Sequence, residues 1–198
     1  MTDSYKQLTK LDLYRYCGKY SRFLHIKNWF INPCYKYTYL LRKTQFYQSK
    51  TNNSKRFISI YYLIRFYLVS VRLMKVSFHF GFQIGRKTVL GNGLYIGHYG
   101  RVIISGDAIL GDNCNIATGV TIGNENRGER KGAPKIGSCV WFGTNSVIVG
   151  KIEIGSNVLI APNTLVNFDV PSNSIVIGNP GRIINSDTAT DLYICNKV

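Results

Sequence analysis

The chain is short of acidic side chains: 10 Asp and Glu stand against 25 Lys and Arg in 198 residues, a formal charge of +15. The shortage is local. Residues 1–80 hold 2 acidic and 15 basic residues, whereas residues 81–198 hold 8 and 10. The basic part therefore has its own partner or surface, and nucleic acid or an anionic membrane face would fit it; a solvated surface is the plain alternative. Nucleic acid is the weaker of the two partners, because neither a recognised binding motif nor a zinc-ligand pattern accompanies the charge. Histidine is scarce too, at 3 residues with no His/Cys cluster, which argues against a metal centre. Cys17, Cys34, Cys114, Cys139 and Cys195 are odd in number and lack C-x-x-C spacing. They read as free thiols in a reducing cytoplasm. Met1 to Lys6 offers no apolar segment of the kind that a secretory leader needs. Within Phe57 to Phe80 the longest uncharged run is Phe57 to Ile64, far short of the ~18 residues of a membrane span.

What is present is a period of six. Between Ile136 and Val170 a large apolar residue recurs at Ile136, Phe142, Ile148, Ile154, Ile160 and Val166, usually followed by a small one. Four residues after each opener stands Val140, Ser146, Ile152, Val158, Thr164 or Val170, small or β-branched. Upstream the same phase runs through Ile84, Leu90 and Ile96, then Leu110, Ile116 and Ile122. Neither a helix nor a simple strand has this period; it is the signature of a parallel β-helix of hexapeptide repeats. Three six-residue faces make a triangular coil, each opener points inward, and the small residues turn the corners. Two steps of fourteen residues, Ile96 to Leu110 and Ile122 to Ile136, break the register. The second contains the polar, Gly-rich stretch Asn124 to Lys135 and predicts a loop leaving the coil. Cys114 falls at a corner and reads as a small core residue.

The chain divides into a basic, aromatic-rich helical region (1–80), the β-helix (81–185) and a tail (186–198) without periodicity, expected to add little. Asn32-Pro33 predicts a helix start, with Cys34 to Phe46 helical and Tyr37, Leu40, Leu41 and Thr44 on one side. Thr51 to Ser54 reads as a turn. Phe57 to Phe80 reads as a helix that either caps the open end of the solenoid or lies in a membrane interface.

Several segments carry a resemblance to a known family over about residues 80–185. They are Gly97-His98-Tyr99-Gly100, Asn115 to Gly123, Ala133-Pro134-Lys135-Ile136-Gly137, and the closing Gly178-Asn179-Pro180-Gly181-Arg182. Together they resemble the serine acetyltransferase group of hexapeptide-repeat acyltransferases. The resemblance implies a left-handed coil, acetyl-CoA as co-substrate, a homotrimer (in some members a dimer of trimers), and active sites between neighbouring subunits. It marks His98 as the general base, since neutral imidazole can take the hydroxyl proton as the oxygen attacks a thioester. His25 and His79 fall outside the motif and read as structural.

It further implies that the pantetheine arm lies along Gly143, Thr144, Ala161 and Pro162, with Lys135 or Lys151 near the phosphates. The departures are informative. Gln83 stands where the family has the Asp that orients the histidine; an amide can accept the imidazole hydrogen bond but brings no charge. Gly132-Ala133 stands where the family has the Arg-His that meets the serine carboxylate, which leaves Arg127, Arg130 or Lys131 as substitutes in the loop. The expected activity is therefore O-acetylation of a sugar hydroxyl, on a surface polysaccharide or its lipid-linked precursor, at the inner membrane face. Serine O-acetylation is the alternative, and a non-catalytic hexapeptide scaffold is the reading from another class.

Overall fold

A computed structural model describes residues 5–198; Met1 to Ser4, within the segment inspected for a leader, lie outside the described residues. Four helices come first: α1 (Tyr5–Cys17), α2 (Arg22–Ile31), α3 (Pro33–Asn53) and α4 (Arg56–Phe80). The start of α3 is the one expected, with Pro33 in the first turn and the Asn32 side chain accepting the Tyr35 N–H at 3.1 Å. Tyr37, Leu40, Leu41 and Thr44 are all buried. The predicted turn at Thr51 is corrected, because α3 continues through Asn53 and only Ser54 leaves it. Contacts made within the helical region stabilise that last turn: the Thr51 hydroxyl donates to the Tyr47 carbonyl at 2.9 Å, and Ser59 of α4 donates to the Thr51 carbonyl at 2.9 Å.

Helix α4 ends at Gly81, which takes a left-handed conformation (φ 77°) and returns its N–H to the Ser77 carbonyl. The next residue opens the solenoid. Its first face comprises β1 (Phe82–Ile84), β4 (Val102–Ile104), β7 (Thr121–Gly123), β10 (Val147–Val149) and β13 (Leu165–Val166). The second comprises β2 (Val89–Leu90), β5 (Ile109–Leu110), β8 (Lys135–Ile136) and β11 (Glu153–Ile154). The third comprises β3 (Tyr95–Ile96), β6 (Asn115–Ile116), β9 (Val140–Phe142), β12 (Val158–Ile160) and β14 (Ser174–Ile177), closed by the antiparallel β15 (Arg182–Asn185). All pairings but the last are parallel.

The openers stack as the period requires. Ile84, Ile104, Ile122, Ile148 and Val166 align on the first face, Leu90, Leu110, Ile136 and Ile154 on the second, and Ile96, Ile116, Phe142 and Ile160 on the third. Nearly all are fully buried, and each contributes about 1.5–3 kcal/mol of apolar burial. The sequence reading missed the opener Ile104. It lies eight residues after Ile96, so the two surplus residues of the first register break fall in the corner between third and first faces. At the corner between second and third faces, Asp112, Ser138 and Ser156 form a ladder: their N–H groups bond the next coil's Ser138, Ser156 and Ser172 hydroxyls at 2.9–3.1 Å.

The helices close the open first coil. Asp12 of α1 and Arg42 of α3 form a buried two-pronged ion pair at 3.1 and 3.2 Å. Arg42 also donates to the Leu90 and Gly91 carbonyls, and Asp12 accepts the Leu94 N–H at 2.9 Å. Burial pushes the Asp12 carboxyl up against the pull of Arg42; three donors on its two oxygens favour the ion. Tyr16 and Tyr37 reach the Ile96 and Ile84 backbones with their hydroxyls.

Two expectations change here. Counting uncharged residues understated α4: Phe57–Phe80 is long and apolar enough, by length and composition, to cross a membrane. In this structure its Val69, Leu73 and Val76 are buried, and the helix packs on α3 and β1. The tail is also more than an appendage. It runs back along the third face, burying Ala189, Thr190 and Ile194 and laying Tyr193 on Trp141. It reaches α1, where Arg15 donates to the Cys195 carbonyl and to Asn115. Side chains of the coil, rather than a repeat in the tail, hold it.

Candidate active site

His98 lies at the corner where the third face passes into the first, directly after β3. This corner is two residues longer than those stacked with it, so the chain bulges and presents His98 and Tyr99 to solvent. Tyr99 is held edge-on to Phe80, and the Gly100 and Val102 N–H groups bond the Phe80 and Gly81 carbonyls at 2.9 and 3.1 Å. His98 itself has no hydrogen-bond partner among the described residues, so its ring is not committed to holding the corner. His79, read as structural, is exposed next to Phe80 and thus close to the same corner, a neighbour that sequence distance concealed. His25 faces Tyr35 at 2.7 Å, within the helical region.

Below His98 the same corner repeats with short steps, as Ala117-Thr118, Gly143-Thr144 and Ala161-Pro162. The Gly97, Ala117 and Gly143 N–H groups donate to Ile116, Phe142 and Ile160 in successive coils. Three coil spacings separate His98 from Pro162, or about 14 Å. A Cβ on Gly143 would lie 2.5 Å from the Pro162 nitrogen, so the small residue is demanded by the closeness of the backbones. The structure therefore brings Gly143, Thr144, Ala161 and Pro162 into one column with His98. The left-handed φ of Asn145 and Asn163, 58° and 57°, completes each of these lower corners.

The other expected site residues lie elsewhere. Gln83 makes no hydrogen bond to His98; strand alternation turns it to the outer side of the first face, where it is exposed. Lys135 and Lys151 stand at the opposite edge of that face, and Lys135 pairs with Glu153 at 3.7 Å. Arg127, Arg130 and Lys131 belong to the loop after β7, on the same far edge. There Glu125 and Gly132 form a bridge, and the Lys151 N–H bonds the Arg130 carbonyl at 2.8 Å. The physical reason is the path of the coil: one corner carries the histidine column, and the loop leaves from the next. Within one chain the first face separates them. Among the described residues no group of three or more His, Cys, Asp or Glu is placed to hold a metal. Burial pushes the Cys114 thiol up to about 12 and Cys34 to about 11, so both are inert packing groups.

A family model described as bacterial transferase hexapeptide (six repeats) matches residues 133–167. Beyond these repeats the chain is similar to serine acetyltransferases and to a polysaccharide acetyltransferase. It is 36% identical over 80 residues to serine acetyltransferase 1, chloroplastic, of Arabidopsis thaliana, covering 40% of this chain and 26% of that protein. It is 34% identical over 87 residues to the putative colanic acid biosynthesis acetyltransferase WcaB of Escherichia coli K12, covering 44% of this chain and 52% of that protein. The serine acetyltransferase structure from Brucella abortus strain S19 superimposes with a TM-score of 0.70 at 25% identity, over 92% of this chain and 69% of that one. The chain thus spans between about a quarter and a half of the length of these two curated relatives, while the fold likeness takes in the helices as well as the coil.

Proposed function

We propose that this chain is an acetyl-CoA-dependent O-acetyltransferase whose acceptor is a sugar hydroxyl. The observation that carries the reading is the column: an unpartnered, solvent-facing His98 on an enlarged corner, above the close-packed corners Gly143-Thr144 and Ala161-Pro162. In the reaction the His98 imidazole accepts the acceptor hydroxyl proton as the oxygen attacks the thioester carbonyl. The tetrahedral oxyanion collapses, the C–S bond breaks, and the imidazolium returns the proton to the leaving thiolate. Small corner residues let the pantetheine arm approach backbone amides.

The arrangement favours assembly. An assembly that set the histidine edge of one copy against the loop-bearing edge of the next would add Arg127, Arg130, Lys131 and Lys151 to the column. A head-to-tail contact repeated by a closing rotation gives a ring, and the resemblance to serine acetyltransferases implies a homotrimer. Sugar is favoured over serine by Gly132-Ala133, which offers no guanidinium for a free carboxylate, and by the similarity to the colanic acid relative. Serine remains the second reading, favoured by the likeness to serine acetyltransferases across the helices and coil.

Membrane contact belongs to the same reading. Phe23, Phe30 and Ile31 of α2 and Phe57, Ile60, Ile64 and Leu68 of α4 are exposed beside a strongly basic surface. Binding to anionic vesicles that weakens with salt is expected, and flotation at two ionic strengths measures it; salt-insensitive binding, or none, removes that part.

The decisive assay supplies acetyl-CoA with L-serine or with a panel of saccharide acceptors and follows free CoA thiol. Acceptor-dependent release from sugars is expected. It should fall by about 10²–10⁴-fold in His98→Ala while acetyl-CoA binding persists. Serine-dependent release that the variant loses would instead establish the serine reading.

A further inference from the structure

A cavity of about 730 Å³ runs between α4 and the outer side of the first face, within the range of small-molecule sites. Tyr67, Val71, Met74 and Phe78 wall it at steps of four, three and four residues, so they form one stripe along the helix. All four are exposed, Phe78 most of all at 82%. Ile103 lines the opposite side with Arg86 and Arg101, and the Arg86 guanidinium rests over the Phe66 ring, 5.5 Å from its centroid. No carboxylate lines the cavity, and neither arginine has an acidic partner among the described residues. Gln83, without a role at His98, lines it as well, and so does Ser70, whose buried hydroxyl has no hydrogen-bond partner.

An apolar trough with two guanidinium groups and no acid describes one kind of ligand. We propose that it binds a polyprenyl-type lipid phosphate, the apolar chain lying on the α4 stripe and the phosphate or diphosphate between Arg86 and Arg101. A nucleotide would leave the apolar wall unused. Guanidinium meets phosphate oxygens in pairs, and the Gln83 amide adds a donor beside them.

The position gives the site its use. Arg101 is three residues from His98, at most about 10 Å along the chain. The Gly100–Phe80 and Val102–Gly81 hydrogen bonds join the histidine corner to the end of the trough. A saccharide attached to the bound phosphate is thereby delivered to the catalytic edge. This inference rests on the proposed O-acetyltransferase reading and names the carrier of its acceptor.

The test uses the full chain in mild detergent with three probes: geranylgeranyl monophosphate, geranylgeraniol and inorganic phosphate, with binding read by calorimetry. The lipid phosphate is expected to bind at least about tenfold more tightly than either fragment. Arg86→Ala and Arg101→Ala should each weaken it by about tenfold, and Val71→Glu should abolish it. Both arginines are exposed, so these variants keep the fold. Equal affinity for the alcohol, indifference to both arginine variants, or no binding overturns the proposal. Displacement of the probe by phosphatidylglycerol vesicles at matched concentration would reassign the trough to bulk membrane and also overturn it. A change in subunit number by light scattering in Val71→Glu, without lipid-phosphate binding, would mark a contact between copies and refute it too. Acetyl-CoA binding is measured on the same samples: its absence with lipid-phosphate binding intact would strike the catalytic reading alone.

Discussion

The buried Asp12–Arg42 pair offers the sharpest test of how the helices and the solenoid are joined. Asp12→Ala removes two hydrogen bonds from Arg42 and one from the Leu94 N–H. It leaves a guanidinium that is almost wholly shielded from water with only the Leu90 and Gly91 carbonyls as partners. A surface pair would be worth ~0–1 kcal/mol. Stranding one buried charge costs about 3–5 kcal/mol, which in a chain of this size lowers Tm by roughly 10 °C. Removing both charges in Asp12→Ala/Arg42→Met should destabilise less than Asp12→Ala or Arg42→Met alone, because no charge is then left unpaired. Thermal and urea unfolding of the four proteins, followed by circular dichroism, gives the cycle. Single variants within about 1 kcal/mol of the parent, or a double variant worse than both singles, would refute the reasoning.

Gly143→Ala should destabilise by about 1–3 kcal/mol and weaken acetyl-CoA binding, because its Cβ would meet the Ala161 and Pro162 backbone at 2.5–2.7 Å. Gly97→Ala, whose nearest neighbour would be a Tyr95 ring carbon at 3.5 Å, should stay near the parent; urea midpoints compare them. Maleimide at neutral pH should label the exposed Cys195 first. It should spare Cys34 and Cys114 until the chain unfolds, because burial raises both pKa values, to about 11 and about 12, and keeps the thiols protonated; peptide mass spectrometry reads the order.

The period of six made the solenoid legible because each opener reports one inward position and nothing else in the chain has to be known. The break before Leu110 showed that two residues were surplus but not which corner held them, since Val102, Ile103 and Ile104 are consecutive apolar residues and the sequence does not single out the opener. The turn at Thr51 was misread because local polarity outweighed contacts from α4 that no window of sequence contains. The tail carries no period of its own, so its path along the third face, fixed by Asn113, Asn115, Asn157 and Arg15, was invisible.

The candidate site divides in the same way. The repeat, the first turn of α3 and the loop can be read from the residues alone, and the motif marks His98 as the candidate base. It takes the stacked coils to show that His98 tops a column with Thr144 and Pro162, that Lys135, Lys151 and the loop arginines lie across the first face, and that Gln83 faces the α4 trough instead. The reason is geometric: a hexad fixes which residues point inward, because burial acts on every coil alike. Which outward residues share an edge depends on the insertions accumulated between coils, and that sum is realised only when the coils stack.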